Sequence, residues 1–182
     1  MPPMPRMWER VKDVWHRARE RWWVRQLMDL ALVGLVFLAV MAWQTRKLPT
    51  DAPAPDFTLR TLSGGQVRLS QLQGKPVVLA FWAPWCGVCK AESSTLSALQ
   101  GMVGNSAHVL SVAVAYEDEE DVRRFAREHA VDYPVLLGSE ELRRAYGVEQ
   151  FPTTFFVTPE GQLERAAVGY TTRLGLLWRM WL

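Results

Sequence analysis

Cys86 and Cys89 are the only cysteines in the chain, and two residues separate them. A pair at that spacing serves redox exchange or metal ligation. It cannot build the several bridges of a small disulfide scaffold, nor the four-thiolate site of a structural zinc. In exchange chemistry one thiolate attacks a partner disulfide, and the second thiol resolves the mixed disulfide. Trp85 precedes the pair, and Gly87 and Val88 lie between the two thiols, where they bear on redox potential.

The flanking sequence says how the pair is held. Pro76 to Ala83 reads PVVLAFWA, a continuous apolar run rich in β-branched and aromatic residues, as a buried central strand requires. Gly87 to Met102 has helical spacing of inward positions at Val88, Ala91, Thr95, Leu96 and Leu99. Cys86 therefore falls at a helix N-terminus, where backbone N–H groups and the positive dipole end favour a thiolate. Cys89 follows about one turn later on the same side, within disulfide reach. A second strand at Val109 to Ala115 completes a βαβ unit with parallel strands.

Further on, Asp118 to His129 reads as a helix with an acidic first turn, a solvated N-terminus that suits the dipole. Pro134 to Leu137 is a short strand, and Glu140 to Tyr146 a short helix closed by Gly147. Thr153 to Thr158 and Gln162 to Val168 form a hairpin about Pro159-Glu160-Gly161. Thr171 to Leu182 is helical, with Leu174, Leu177, Trp178 and Trp181 on one face. Upstream, Phe57 to Thr61 and Gln66 to Leu69 alternate as a short hairpin, and Ser70 caps a helical turn through Leu72. Phe151-Pro152 opens the Thr153 strand. An X-Pro bond is the one peptide type that readily takes the cis form, and beside the cysteines a cis bond would offer backbone hydrogen-bonding groups to an extended substrate.

The net charge of +2 hides a division. Residues 1–47 hold nine Lys/Arg and four Asp/Glu, and residues 48–182 hold twelve and fifteen. The basic head adjoins an uncharged apolar run, Leu30 to Trp43, which speaks for a lipid surface and against nucleic acid. Taken from Leu27, the run takes in Asp29 and is 17 residues, the short end of what spans a bilayer. Seven Lys/Arg precede it and only Arg46 and Lys47 follow closely, so the positive-inside bias keeps the N-terminus in the cytoplasm and exports the body. No clear A-x-A cleavage site follows it. The expected organisation is a basic amphipathic cytoplasmic segment at 1–26, a transmembrane anchor at 27–43, a Pro-rich linker at 44–55 and an α/β domain at 56–182.

The stretch Val77 to Lys90, reading VVLAFWAPWCGVCK, resembles the active site of the thioredoxin superfamily, and Phe151-Pro152-Thr153-Thr154 resembles its cis-proline loop. Ala54-Pro55-Asp56-Phe57-Thr58-Leu59, Leu72 to Val78 and the N-terminal anchor are similar to the TlpA/ResA/CcmG branch, and within it to ScsD-type protein disulfide oxidoreductases. The resemblance covers about residues 53–182. It implies a thioredoxin-like fold on the outer face of the bacterial cytoplasmic membrane, exchanging dithiols and disulfides with exported, cysteine-containing proteins, with no cofactor. A membrane thiol–disulfide partner would recharge it. Cys86 would be the nucleophile, Cys89 the resolving thiol and Pro152 the cis-proline, with Trp85, Gly87, Val88 and Phe151 at the substrate surface. Glu92 matches a glutamate found three residues past the second cysteine in that branch. Four positions depart from the family: Ala80 replaces the buried aspartate of thioredoxin, Ser94 a helix-kinking proline, and Gly87-Val88 the usual dipeptides.

Other chemistries fit less well. A peroxidatic cysteine of the peroxiredoxin type needs threonine three residues earlier, where Ala83 stands before Cys86. Covalent haem attachment needs histidine after the second cysteine, where Lys90 stands. A copper-handling module of this fold needs a histidine ligand, and the body offers only His108 and His129, in or beside core elements. Between the two redox directions, the anchor and the TlpA-like frame favour a reductase over a disulfide-forming oxidant.

Overall fold

The computed structural model describes residues 22–40 and 48–181, with the side chain of residue 181 outside that description. The chain divides into two compact units, Met1–Gln44 and Thr45–Leu182. In the first, α1 (Trp22–Val40) is long and apolar enough to cross a membrane by length and composition. It begins five residues before the expected span, and residues 41–43 of that span lie outside the described part. So does most of the basic segment at 1–26.

The second unit is built on a six-stranded mixed sheet. Its strands are β1 (Ala52–Pro53), β4 (Val77–Trp82), β5 (His108–Ala113), β6 (Val135–Leu137), β7 (Thr153–Val157) and β8 (Gln162–Val168), in the order β1-β8-β7-β4-β5-β6. β4 and β5 pair in parallel, as do β5 and β6, while β7 runs antiparallel to both β4 and β8. A separate hairpin joins β2 (Thr58–Arg60) to β3 (Gln66–Arg68), followed by a 3₁₀ turn at Leu69–Leu72. The helices are α2 (Gly87–Val103), α3 (Glu119–Glu128), α4 (Glu140–Ala145) and α5 (Arg173–Trp181).

β4 is buried along its whole length, which is why its sequence is apolar without alternation. Its side chains split between two cores. Val78, Ala80 and Trp82 pack with residues of α2, α3 and α5. Val77, Leu79 and Phe81 pack with Tyr146 and Leu142 at α4, Phe155 of β7, and Phe57 and Leu69 beside the hairpin. Both cores lie wholly within residues 48–180, so this unit carries the apolar burial needed to fold by itself.

Four details differ from the sequence expectation. Ser70 does not cap the turn after β3 but lies inside it, behind the N-cap Arg68, and its hydroxyl donates to Asp56 Oδ2 at 3.0 Å. Part of the Pro-rich linker joins the sheet, since Ala52 and Pro53 pair with Leu163 and Gln162 of β8. Proline is tolerated there because β1 is an edge strand. In α3, Asp118 is the cap and not a helical residue, its side chain accepting the Glu120 N–H. In α5 the inward face is Leu176 and Met180, with Leu177 half-buried, while Leu174 and Trp178 point to solvent.

Candidate active site

Cys86 ends the loop after β4 and is the N-cap of α2. Its extended backbone (φ −79°, ψ 108°) turns the side chain toward the first helical N–H groups, and Sγ accepts a hydrogen bond from the Cys89 N–H at 3.1 Å. Cys86 and Cys89 are joined by a disulfide, with Cα atoms 5.3 Å apart. Both cysteines are buried, whereas Trp85, Gly87 and Val88 around them are exposed. The pair is thus framed by apolar, solvent-facing surface.

Trp85 is held from two sides. Its indole N–H donates to the Ala115 carbonyl at 2.9 Å, and its ring meets Phe151 edge-to-face at 5.6 Å. Ala115 takes a left-handed backbone (φ 52°), a conformation that costs a non-glycine residue on the order of 1 kcal/mol or more. That turn aims the carbonyl at the indole. Tyr116 next to it donates its hydroxyl to the Gly138 carbonyl at 3.3 Å, tying the loop to the end of β6. A groove of about 340 Å³ opens beside Trp85, walled by Pro84, Ala115, Tyr116 and Phe125, with Lys90 and Glu117 also lining it.

Sheet register brings the Pro152 loop to the same place. Thr153 pairs with Phe81, so Pro152 sits level with the end of β4. The Phe151–Pro152 peptide bond is cis, and the Pro152 carbonyl accepts the Gly169 N–H at 2.8 Å.

Glu92 lies one turn past Cys89, on the same buried face of α2. It is 2% exposed. Burial pushes its carboxyl up to about 7, while a hydrogen bond from the Thr171 backbone N–H at 3.1 Å pulls the other way. Tyr133 is also buried, and its phenol is raised first by burial and then by the charge of Glu92. Ala80 sits between Ser111 of β5 and Thr154 of β7 in register. Their hydroxyls are buried without a hydrogen-bond partner, one on each side of Ala80. Among the described residues no cluster of three or more His, Cys, Asp or Glu is placed to hold a metal ion.

The AhpC/TSA family pattern matches residues 50–166. The chain belongs to the AhpC/TSA family. Its relatives fix the branch. The thioredoxin-like protein YneN of Bacillus subtilis is 30% identical over 156 residues, covering 83% of this chain and 92% of its own. The thiol–disulfide oxidoreductase ResA of the same organism is 31% identical over 144 residues, covering 78% and 79%. Among solved structures, a DsbE-type thiol:disulfide interchange protein from Chlorobium tepidum superposes with a TM-score of 0.66 at 27% identity, covering 73% of this chain and 95% of its own. The fold is thioredoxin-like and the enzyme class is thiol–disulfide oxidoreductase.

The structure gathers Trp85, Cys86, Gly87, Val88, Cys89, Phe151 and Pro152 at one end of the sheet and sets Glu92 beneath them. Sequence reasoning missed the Ala115 carbonyl and the Thr171 N–H. Both act through backbone atoms, which carry no side-chain signature. The nearest signal is the Thr171-Thr172 pair before α5, where Thr172 caps the helix by accepting the Gly175 N–H.

Proposed function

We propose that Cys86 is the attacking and Cys89 the resolving cysteine of a membrane-anchored thiol–disulfide oxidoreductase that reduces disulfides of exported proteins. The observation that carries this reading is Cys86 as N-cap of α2 with the Cys89 N–H on its sulfur, an arrangement that stabilises a thiolate once the bond is reduced. The reduced Cys86 thiolate attacks one sulfur of a substrate disulfide, forming a mixed disulfide and releasing the other substrate sulfur as a thiolate. The Cys89 thiol then passes its proton to the Glu92 carboxylate and attacks Cys86 Sγ. The second substrate thiolate leaves, two electrons have moved to the substrate, and the Cys86–Cys89 disulfide remains. A membrane thiol–disulfide partner returns two electrons, and the proton held on Glu92 goes back to Cys89, which restores the Cys86 thiolate and the Cys89 thiol. A carboxyl near pH 7 is matched to that proton transfer at neutral pH.

Trp85, Gly87, Val88, Phe151 and Pro152 form the surface on which the substrate chain lies. The basic N-terminal segment stays in the cytoplasm, α1 spans the membrane, and the thioredoxin-like body works on the extracytoplasmic side. Direction is tested by the reduction potential of residues 48–182 together with the redox state of Cys86 in cells. A reductase gives a potential below about −200 mV and a mostly reduced Cys86. A value near the roughly −120 mV of strong oxidants, with Cys86 oxidised, overturns the direction but leaves the exchange chemistry intact.

A further inference from the structure

Residues 48–164 carry nine Lys/Arg against fifteen Asp/Glu, whereas residues 165–182 carry three Arg and no acid. This basic end of an otherwise acidic body includes α5. The helix packs Leu176 and Met180 into the core and turns Leu174 (79% exposed) and Trp178 (59% exposed) outward. These two residues are four apart, so they share one face. Tyr170, half-exposed, precedes the helix with its hydroxyl against Thr95 Oγ1 at 3.3 Å. Arg173 is exposed on the same helix, and the half-buried Arg179 donates to the Gly175 carbonyl at 3.4 Å.

Outward Leu and Trp flanked by arginine, with no carboxylate to repel phosphate, is the composition of a helix that lies in a bilayer interface. We propose that α5 docks the body onto the anionic headgroups of a membrane, with Leu174 and Trp178 entering the interface and Arg173 and Arg179 facing lipid phosphates. The proposal extends the anchoring reading. The chain from Val40 to Ala52 reaches at most about 40 Å when extended, so a body tethered to a spanning α1 stays within range of that bilayer. Docking would also orient the active site, because the strap leading into α5 supplies the Thr171 N–H that holds Glu92.

Flotation of residues 48–182 with phosphatidylglycerol-containing and with purely phosphatidylcholine vesicles tests the surface without the anchor. Binding is expected on the anionic vesicles. It should fall about tenfold or more in the Leu174→Ser/Trp178→Ser variant, and similarly for Arg173→Gln/Arg179→Gln or in roughly 1 M salt, where screening shortens to about 3 Å. Unchanged insulin-reducing activity of the variants shows that the fold is kept. Absence of binding, binding indifferent to these substitutions, or self-association through α5 in place of lipid binding overturns the proposal. Alkaline extraction of the full chain from membranes tests the anchor separately, so loss of one reading is distinguishable from loss of the other.

Discussion

The backbone N–H of Thr171 and the carboxylate of Glu92 meet at 3.1 Å although 79 positions separate them in the chain. The contact ties the entry to α5 to the helix that carries both cysteines. It is also the one polar partner that offsets the burial of Glu92, and it leaves the carboxyl near neutrality and not at a surface value.

That placement makes stability depend on pH. Between the ordinary carboxylate value of 4.5 and about 7 the folded protein holds a proton on Glu92 that the unfolded chain has released. Stability therefore falls as pH rises through this window, by on the order of 3 kcal/mol across it. Urea unfolding of oxidised wild type and Glu92→Gln at pH 5 and pH 8 measures the effect. The variant is expected to lose most of this downward slope, and a slope equal to that of wild type would show that Glu92 ionises in the fold at its ordinary carboxylate value.

Glu92→Gln should also slow the resolving step. With no carboxylate to take the Cys89 proton, the mixed disulfide persists and turnover drops about tenfold to a hundredfold, within the range of a single acid–base group. The pH profile of disulfide reduction should lose its limb near 7, while the initial attack by Cys86, read in single-turnover alkylation, changes little.

Trp85→Phe keeps the ring against Phe151 but removes the indole donor to Ala115. A lost hydrogen bond of this kind is worth about 1 kcal/mol, or roughly fivefold. We expect KM for a protein substrate to rise by that factor, with reactivity toward a small disulfide unchanged. An equal loss for both substrates would assign the indole to general stability.

Thr154→Val removes a buried hydroxyl that has no hydrogen-bond partner. The shape is kept and no partner is abandoned, so the change is expected to be neutral or stabilising by about 1 kcal/mol in denaturant midpoint analysis. Destabilisation of that size would instead show that the Thr154 hydroxyl has a hydrogen-bond partner in the folded protein, such as a bound water.

The scaffold was readable where one residue pattern has one physical solution. The unbroken, β-branched and aromatic run of β4 reads as a strand buried on both faces, and the turn Pro159-Glu160-Gly161 marks the hairpin between β7 and β8. β1 was hidden because two residues of a Pro-rich stretch show no periodicity, and only the edge of β8 gives them a role. In α5 the residues 174, 177 and 178 read as one apolar stripe, yet the core selects Leu176 and Met180 instead. The cysteines were plain in the sequence. The burial of Glu92 was not, since a glutamate on a helix ordinarily faces water, and its partner Thr171 contributes only a backbone group.

Trapping the mixed disulfide identifies the attacking cysteine. Reduced Cys89→Ala protein is mixed with an oxidised protein substrate, and the covalent adduct is mapped by peptide sequencing. A stable adduct through Cys86 is expected in this variant, none in Cys86→Ser, and loss of catalytic disulfide exchange in both. An adduct through Cys89, or a Cys86→Ser protein that keeps full exchange activity, would contradict it.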